Sequence, residues 1–267
     1  MDKKEIEING KRILYTTYGN GKPVMFVHGV GALGIVWKNQ VEALNDKFRL
    51  IIVDIPGSHD SELLEDMSME GMAESLKAIL DKEKIGKCCI IGHSMGGYIT
   101  LAFAEKYPER LSSFGLFHST AFPDTEEKKV TRRKGIDFIR EHGAFEFLKN
   151  TTPNLFSPVT QAEKPALIDE QIETLNNFSS DSLVSYYEAM IRRPDRTHIL
   201  RNSTIPILFI AGKYDSAVPL IDILKQCHLP SLSYIQTLEN SGHMGMLEEP
   251  GKTIQILEEF FNMATIT

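Results

Sequence analysis

The chain has 267 residues, of which 42% are hydrophobic and 24% are charged, the balance of an ordinary globular protein. A chain of this length buries a large core without disulfide or metal cross-links, which excludes a disordered chain and a disulfide-stapled mini-protein. The 36 acidic residues outnumber the 29 basic ones and give a net charge of -7. This sign argues against general nucleic-acid binding, which requires cations to displace the counterions around phosphates.

The N-terminal segment carries charge from its second residue and lacks an apolar core, so we do not expect a signal peptide. We expect no membrane span, because none of the apolar stretches approaches the necessary length of about 20 residues. The three cysteines include the adjacent pair Cys88 and Cys89, and neighbouring side chains of a strand point to opposite faces. We therefore expect reduced thiols and a cytoplasmic protein.

The first half of the chain alternates strand-like and helix-like segments, the pattern of a sheet covered by helices. Two strands at residues 5–8 and 13–18 are predicted to form a hairpin turned by Asn9-Gly10. Further strands are predicted at residues 24–27, 50–53, 88–91 and 111–117, and helices at residues 36–44, after the N-cap Ser68, and at 98–106. Because several of these strands are apolar throughout, a parallel sheet covered on both faces is expected.

The alternation stops at residue 119 and resumes at residue 205. Only helices are predicted between these points, the first of them beginning with a possible capping box of Asp124 and Glu127. Strands follow at residues 206–211 and 234–238, with helices at 220–226 and 253–262. The sequence thus predicts one α/β core made of residues 1–118 and 205–267, and a helical cap formed by residues 119–204.

A glycine-rich segment, Gly92-His93-Ser94-Met95-Gly96-Gly97, lies between a predicted strand and a predicted helix. A serine flanked by glycines in this context is typical of a nucleophile elbow, a tight turn that exposes the serine hydroxyl above the sheet edge. A glycine-rich turn without catalytic function is the simpler alternative. The placement between strand and helix favours Ser94 as a nucleophile.

Asp215 and His243 each follow a later predicted strand, and the carboxyl ends of parallel strands meet at one edge of a sheet. A serine hydroxyl needs a base to remove its proton, so we assign His243 as general base and acid and Asp215 as the residue that orients it. The developing oxyanion needs donors, for which we propose the backbone N–H groups of Val30 and Met95. His28 is interpreted as a buried hydrogen-bonding residue.

From residue 24 to residue 249 the sequence closely resembles the α/β-hydrolase superfamily. The resemblance rests on His28-Gly29, on Asp54-Ile55-Pro56-Gly57, on the segment around Ser94, and on the order Ser94, Asp215, His243. It implies a mostly parallel eight-stranded sheet with a helical cap inserted after strand six. Dehalogenases and epoxide hydrolases of this fold carry Asp at the nucleophile position, which Ser94 excludes.

Some histidines and one loop leave alternatives open. The segment Ser58-His59-Asp60-Ser61 departs from the superfamily pattern, and its shape is not predicted. His93 and His118 are expected either to contact substrate or to pack in the core. A basic cluster at residues 128–134 is interpreted as a solvated helix face.

We therefore expect a serine hydrolase, acting as a monomer or homodimer, that cleaves a carboxylic ester, lactone or thioester with an apolar or aromatic part through an acyl-enzyme. No cofactor and no metal site are predicted. The alternatives are a hydrolase that cleaves a carbon–carbon bond in dienoic diketone acids, and a ligand receptor on the same scaffold.

Overall fold

A computed structural model describes residues 1–263 and contains one eight-stranded sheet. Its strands are β1 (Asp2–Ile8), β2 (Lys11–Tyr18), β3 (Lys22–Val27), β4 (Phe48–Val53), β5 (Cys88–His93), β6 (Leu111–Phe117), β7 (Ile207–Gly212) and β8 (Ser233–Leu238). The strand order is β1-β2-β4-β3-β5-β6-β7-β8. Strands β1 and β2 form an antiparallel hairpin and β2 pairs antiparallel to β4, while all other pairs are parallel. The predicted mostly parallel sheet is confirmed.

Twelve α-helices flank or connect these strands in the described residues. They are α1 (Lys38–Leu44), α2 (Met69–Lys82), α3 (Met95–Lys106), α4 (Glu126–His142), α5 (Ala144–Thr151), α6 (Pro158–Glu163), α7 (Pro165–Glu173), α8 (Ser180–Arg192), α9 (Thr197–Asn202), α10 (Leu220–Leu224), α11 (Gly245–Glu248) and α12 (Pro250–Met263). Short 3₁₀ helices cover Gly34–Trp37, Pro108–Arg110 and Thr152–Leu155. No helix within residues 1–263 is long and apolar enough to cross a membrane.

The core lies in two layers, one on each face of the sheet. Met25 and Val27 belong to the layer under α2 and α3, whereas Val24 and Phe26 belong to the layer under α1 and α12. The same alternation separates Cys88 from Cys89, and all three cysteines are buried and free of disulfide bonds. Both faces of the sheet are apolar because both are covered, as the continuous apolar strands predicted.

Backbone angles and hydrogen bonds confirm two of the local predictions. Asn9 and Gly10 turn the first hairpin with positive φ angles of 50° and 77°, the conformation that this two-residue turn requires. The Ser68 side chain accepts a hydrogen bond from the Gly71 N–H and caps α2. The helix α11 was not predicted, because four residues are too few to show a helical period.

The capping-box prediction at Asp124 is wrong. Thr125 is the N-cap of α4, and its side chain accepts a hydrogen bond from the Lys128 N–H. Asp124 is instead buried and forms ion pairs of 2.5 Å with Arg132 and 2.9 Å with Arg193. Arg132 therefore does not belong to a fully solvated basic face, since a buried carboxylate requires a charged partner.

The segment between β6 and β7 contains helices α4 to α9 and, among the residues described, no strand. Its helices pack around an apolar cluster of their own, formed by Ile139, Ala144, Leu148, Leu175 and Leu183. Val30, from the loop after β3, packs against this cluster. The segment is thereby placed over the carboxyl ends of the parallel strands.

The turn between β5 and α3 brings three backbone segments into contact. A Cβ built on Gly92 would lie 2.3 Å from the Gly96 carbonyl oxygen, and one built on Gly96 would lie 2.3 Å from the Val27 carbonyl oxygen. A carbonyl oxygen held in a helix (Gly96) or in a strand (Val27) cannot move aside, so only glycine is tolerated at positions 92 and 96. The close approach places residue 94 directly above the end of β3.

We expect Gly96→Ala to lower the free energy of unfolding by about 3 kcal/mol, because the added methyl group overpacks against fixed backbone. Urea unfolding followed by circular dichroism measures the change. Gly251→Ala is the matched control, since a Cβ at Gly251 meets no atom within 4 Å and alanine is favoured over glycine in a helix. Equal stability of the two variants would contradict the close packing described for this turn.

Candidate active site

Ser94 occupies the turn between β5 and α3 in a strained conformation, with φ of 53° and ψ of -118°. A non-glycine residue with this backbone costs about 1–3 kcal/mol and persists only where the surroundings fix it. Its N–H donates to the Phe117 carbonyl at 3.0 Å, and its own carbonyl accepts from the Ser119 hydroxyl at 2.7 Å. The end of β6 therefore holds the backbone of Ser94 from one side.

The loop after β3 holds Ser94 from the other side. A Cβ built on Gly29 would lie 2.9 Å from the Ser94 Cβ, so the two backbones almost touch. The Val30 N–H donates to no group within residues 1–263, and the Met95 N–H belongs to the first turn of α3, where helical donors have no partner in the helix. Met95 directly follows Ser94 and Val30 directly follows Gly29, so both predicted oxyanion donors belong to segments that lie next to Ser94.

His28 fixes the shape of this loop. Its ring is fully buried, its Nδ1–H donates to the Gly29 carbonyl at 2.9 Å, and its Nε2 accepts from the Ile55 N–H at 3.3 Å. Burial lowers the pKa of His28, although the nearby Asp54 opposes the shift. The histidine is neutral and structural, as the sequence indicated.

His243 and Asp215 form a direct pair. The His243 Nδ1–H donates to Asp215 Oδ2 at 2.8 Å, and the N–H groups of Ala217 and Val218 donate to Asp215 Oδ1 at 2.9 Å each. Burial by itself raises the pKa of Asp215, but the positive charge of a protonated His243 and the hydrogen bonds from His118 and His243 outweigh it and hold the pKa well below its usual range. The carboxylate remains ionised wherever a histidine titrates.

Ser94 is connected to this pair through its neighbour His93. The His93 Nε2–H donates to the His243 carbonyl at 2.9 Å, and the two rings are 4.9 Å apart. The Ser94 hydroxyl itself has no hydrogen-bond partner among the residues described. In free enzymes the contact between nucleophile and base is often loose and tightens when substrate binds.

His118 was expected to contact substrate or to pack in the core, and the structure shows a third role. Its Nδ1 lies 3.0 Å from Asp215 Oδ2, the same oxygen that His243 contacts, and its ring is fully buried. Burial lowers the pKa of His118, with partial compensation from Asp215. The available signal was its position: it follows β6 directly, beside the strand that leads to Asp215.

Glu248 was not singled out from the sequence, yet it links the His243 loop to the helical segment. Its Oε1 accepts hydrogen bonds from the Gly242 and Met244 N–H groups, at 2.8 and 3.2 Å, on either side of His243. Its Oε2 accepts from the Ser157 N–H and the Thr160 hydroxyl, both at 2.8 Å. The buried carboxylate has no signal in the sequence, because glutamate side chains are usually solvated.

The loop at residues 57–61 divides into structural and exposed residues. The Ser58 hydroxyl donates to the Ile55 carbonyl, and the Ser61 hydroxyl donates to the Asp54 carbonyl, both at 2.7 Å. His59 has a φ of 49° and faces solvent with Asp60. These two side chains line a cleft of about 890 Å³ that also borders residues 173, 174 and 176–178.

Within residues 1–263, one group of side chains has the composition of a metal site. The ligand atoms of His118, Asp215 and His243 lie within 4.8 Å of one another. Both histidines already use Nδ1 in hydrogen bonds to Asp215. A cation bound through these Nδ1 atoms would displace both protons, so the arrangement favours proton chemistry.

Comparison with known proteins adds independent information. A family model described as alpha/beta hydrolase fold matches residues 22–137. The chain is 25% identical to 3-oxoadipate enol-lactonase 1 of Acinetobacter baylyi, over 96% of this chain and 91% of that protein. It is 27% identical to the pimeloyl-[acyl-carrier protein] methyl ester esterase of Aeromonas hydrophila, over 91% and 96%. A solved thermophilic esterase from Thermogutta terrifontis superimposes with a TM-score of 0.93 at 27% identity, over 99% of both chains.

We expect Glu248→Gln to lower the free energy of unfolding by about 2–4 kcal/mol. The glutamine amide would direct its own N–H groups at donors that now reach a carboxylate, leaving buried groups unpaired. Chemical denaturation measures the loss, and Glu259→Gln, at an exposed position of α12, is expected to change stability by less than about 0.5 kcal/mol. An unchanged Glu248→Gln protein would show that these four contacts contribute little.

Proposed function

We propose that the chain, a hydrolase of the α/β-hydrolase superfamily, cleaves carboxylic esters, or related lactones or thioesters, through an acyl-enzyme on Ser94. The observation that carries this proposal is the buried His243–Asp215 hydrogen bond of 2.8 Å, beside a strained serine on the same edge of the sheet. The esterase and lactonase names of the relatives agree with it.

In the proposed reaction, His243 Nε2 removes the proton of Ser94 Oγ as that oxygen attacks the carbonyl carbon of the substrate. The carbonyl oxygen becomes an anion, to which the Val30 and Met95 N–H groups donate. His243 then protonates the leaving alcohol, and an acyl-enzyme remains on Ser94. Water, deprotonated by His243, hydrolyses this ester, and the serine recovers its proton.

Asp215 has two effects in this scheme. Its Oδ2 accepts from His243 Nδ1–H, which fixes the tautomer that presents a lone pair of Nε2 towards the serine. Its charge stabilises the imidazolium formed during both steps. Because its pKa lies well below the usual range, Asp215 keeps this charge at every pH at which His243 acts.

The substrate that we propose is apolar in its acyl or aromatic part. Val30 packs against the apolar cluster of α4, α5 and α8, and Phe147 and Tyr187 border the same cluster. A substrate carbonyl bound at the Val30 N–H is therefore next to apolar side chains of the helical segment. We propose that residues 119–204 act as a cap that covers the bound substrate.

We expect p-nitrophenyl esters of short acids to give a burst of p-nitrophenol equal to the enzyme concentration, because acylation liberates the phenol before the slower deacylation. Ser94→Ala is expected to abolish both the burst and the turnover. Stopped-flow absorbance measures the release. Ser231→Ala changes an exposed serine and is expected to behave as the parent. Turnover retained in Ser94→Ala would exclude the proposed mechanism.

We expect Asp215→Asn to lower kcat by about 10³–10⁴-fold, because the amide cannot stabilise the imidazolium and favours the wrong histidine tautomer. Steady-state kinetics on the best ester measures this loss, and the circular dichroism spectrum reports folding. Asp46→Asn, at an exposed residue, is the matched control. A folded Asp215→Asn protein with parental kcat would remove Asp215 from the mechanism.

A panel of esters of graded acyl length, lactones and a dienoic diketone acid distinguishes the alternative functions. Turnover of the diketone acid with little ester hydrolysis would favour carbon–carbon cleavage. Thermal stabilisation by a ligand of the panel, without turnover of any ester or lactone, would favour a receptor.

A further inference from the structure

The Asp215 carboxylate accepts more hydrogen bonds than are needed to orient a single histidine. Its Oδ1 accepts from two backbone N–H groups, those of Ala217 and Val218, and its Oδ2 faces the Nδ1 atoms of both His243 and His118. The Asp215 side chain is 0% exposed, so no water competes for these positions. Two histidines thus share one carboxylate oxygen.

The protonation state of His118 follows from its surroundings. An ionised carboxylate only accepts, so the contact of 3.0 Å requires a hydrogen on His118 Nδ1. The Gly212 N–H also points at this nitrogen from 3.2 Å and would favour its lone pair. The bond to the charged carboxylate is the stronger of the two.

The opposite side of the His118 ring cannot carry a second proton without a large cost. Nε2 is buried without a partner, and a Cβ built on Gly245 would lie 2.5 Å from it. An Nε2–H would therefore be an unpaired donor in a closed apolar space. Burial also lowers the pKa of His118. His118 is consequently neutral, with its hydrogen on Nδ1.

We propose that His118 is a positioning residue that shares Asp215 Oδ2 with His243 and, by withdrawing part of the carboxylate charge, extends the activity of His243 as a base towards lower pH. The proposal rests on the function proposed above, since it concerns the same base. The Nδ1–H dipole of His118 directs its positive end at Oδ2, where it weakens the attraction between Asp215 and a protonated His243. Removing this dipole is therefore expected to strengthen that attraction.

The other ionisable groups around His243 do not replace this effect. His93 lies 4.9 Å from the His243 ring, centroid to centroid, but it is buried, and its pKa is well below the usual range because of burial and of the charge of a protonated His243. Glu248 directs its carboxylate oxygens at backbone N–H groups on either side of His243. Within residues 1–263, we therefore assign the effect on the His243 imidazole to Asp215, which contacts its Nδ1, and to His118, which acts through Asp215.

The test compares the pH dependence of kcat/KM for the parent, His118→Phe and His118→Asn on one ester. Phenylalanine keeps the ring volume and removes the donor, whereas an asparagine amide places a donor close to the position of Nδ1. We expect the acidic limb of the profile to move to higher pH by about 0.5–1 unit in His118→Phe, since the free enzyme determines this limb. In His118→Asn it should return towards the parental position.

An unchanged acidic limb in a folded, active His118→Phe protein would overturn the proposal, and so would an equal shift in both variants. Nitrogen-15 NMR of the parent protein gives a readout that needs no activity. We expect this measurement to show a neutral His118 with its hydrogen on Nδ1. An Nε2–H tautomer would contradict the proposal even if the His118→Phe protein fails to fold. The Ser94→Ala variant tests the proposed function separately, because this substitution does not change the His118 tautomer. Activity retained in this variant would contradict the proposed function alone.

Discussion

The buried charge of Asp215 is the constraint that determines where the surrounding hydrogen-bond donors must lie. A carboxylate without exposed surface is strongly destabilising unless each oxygen has donors. Here the donors come from three places: the turn after β7, the His243 loop after β8, and the end of β6. Each must be positioned correctly for the charge to be tolerated. The same satisfied carboxylate then orients His243.

The sheet topology is what brings these groups to one place. Strands β5, β6, β7 and β8 are neighbours and parallel, so the residues that follow them lie along one edge. Ser94, His118, Asp215 and His243 each follow a different one of these strands. The close approach of Gly92 and Gly96 to neighbouring backbone sets the position of Ser94 on this edge.

The helical segment is connected to the site by polar contacts as well as by apolar packing. Leu155 accepts the His243 N–H at 2.6 Å, and Glu248 joins residues 157 and 160 to the backbone around His243. Val30 packs against the apolar cluster of α4, α5 and α8. A displacement of these helices would therefore alter the position of the base and the shape of the oxyanion loop together.

The sequence by itself determined the sheet, the positions of most strands and helices, and the selection of Ser94, Asp215 and His243 as candidates. These features depend on local patterns: apolar strands, helical periodicity, glycine spacing and residues that follow a strand. Tertiary structure alone decided that His118 shares Asp215, that Glu248 connects the His243 loop to the helices, and that Asp124 is an ion-pair partner instead of a cap. These contacts join residues far apart in the chain, such as His118 and Asp215 at a separation of 97. A local sequence pattern does not indicate whether a polar side chain will contact a buried partner or water.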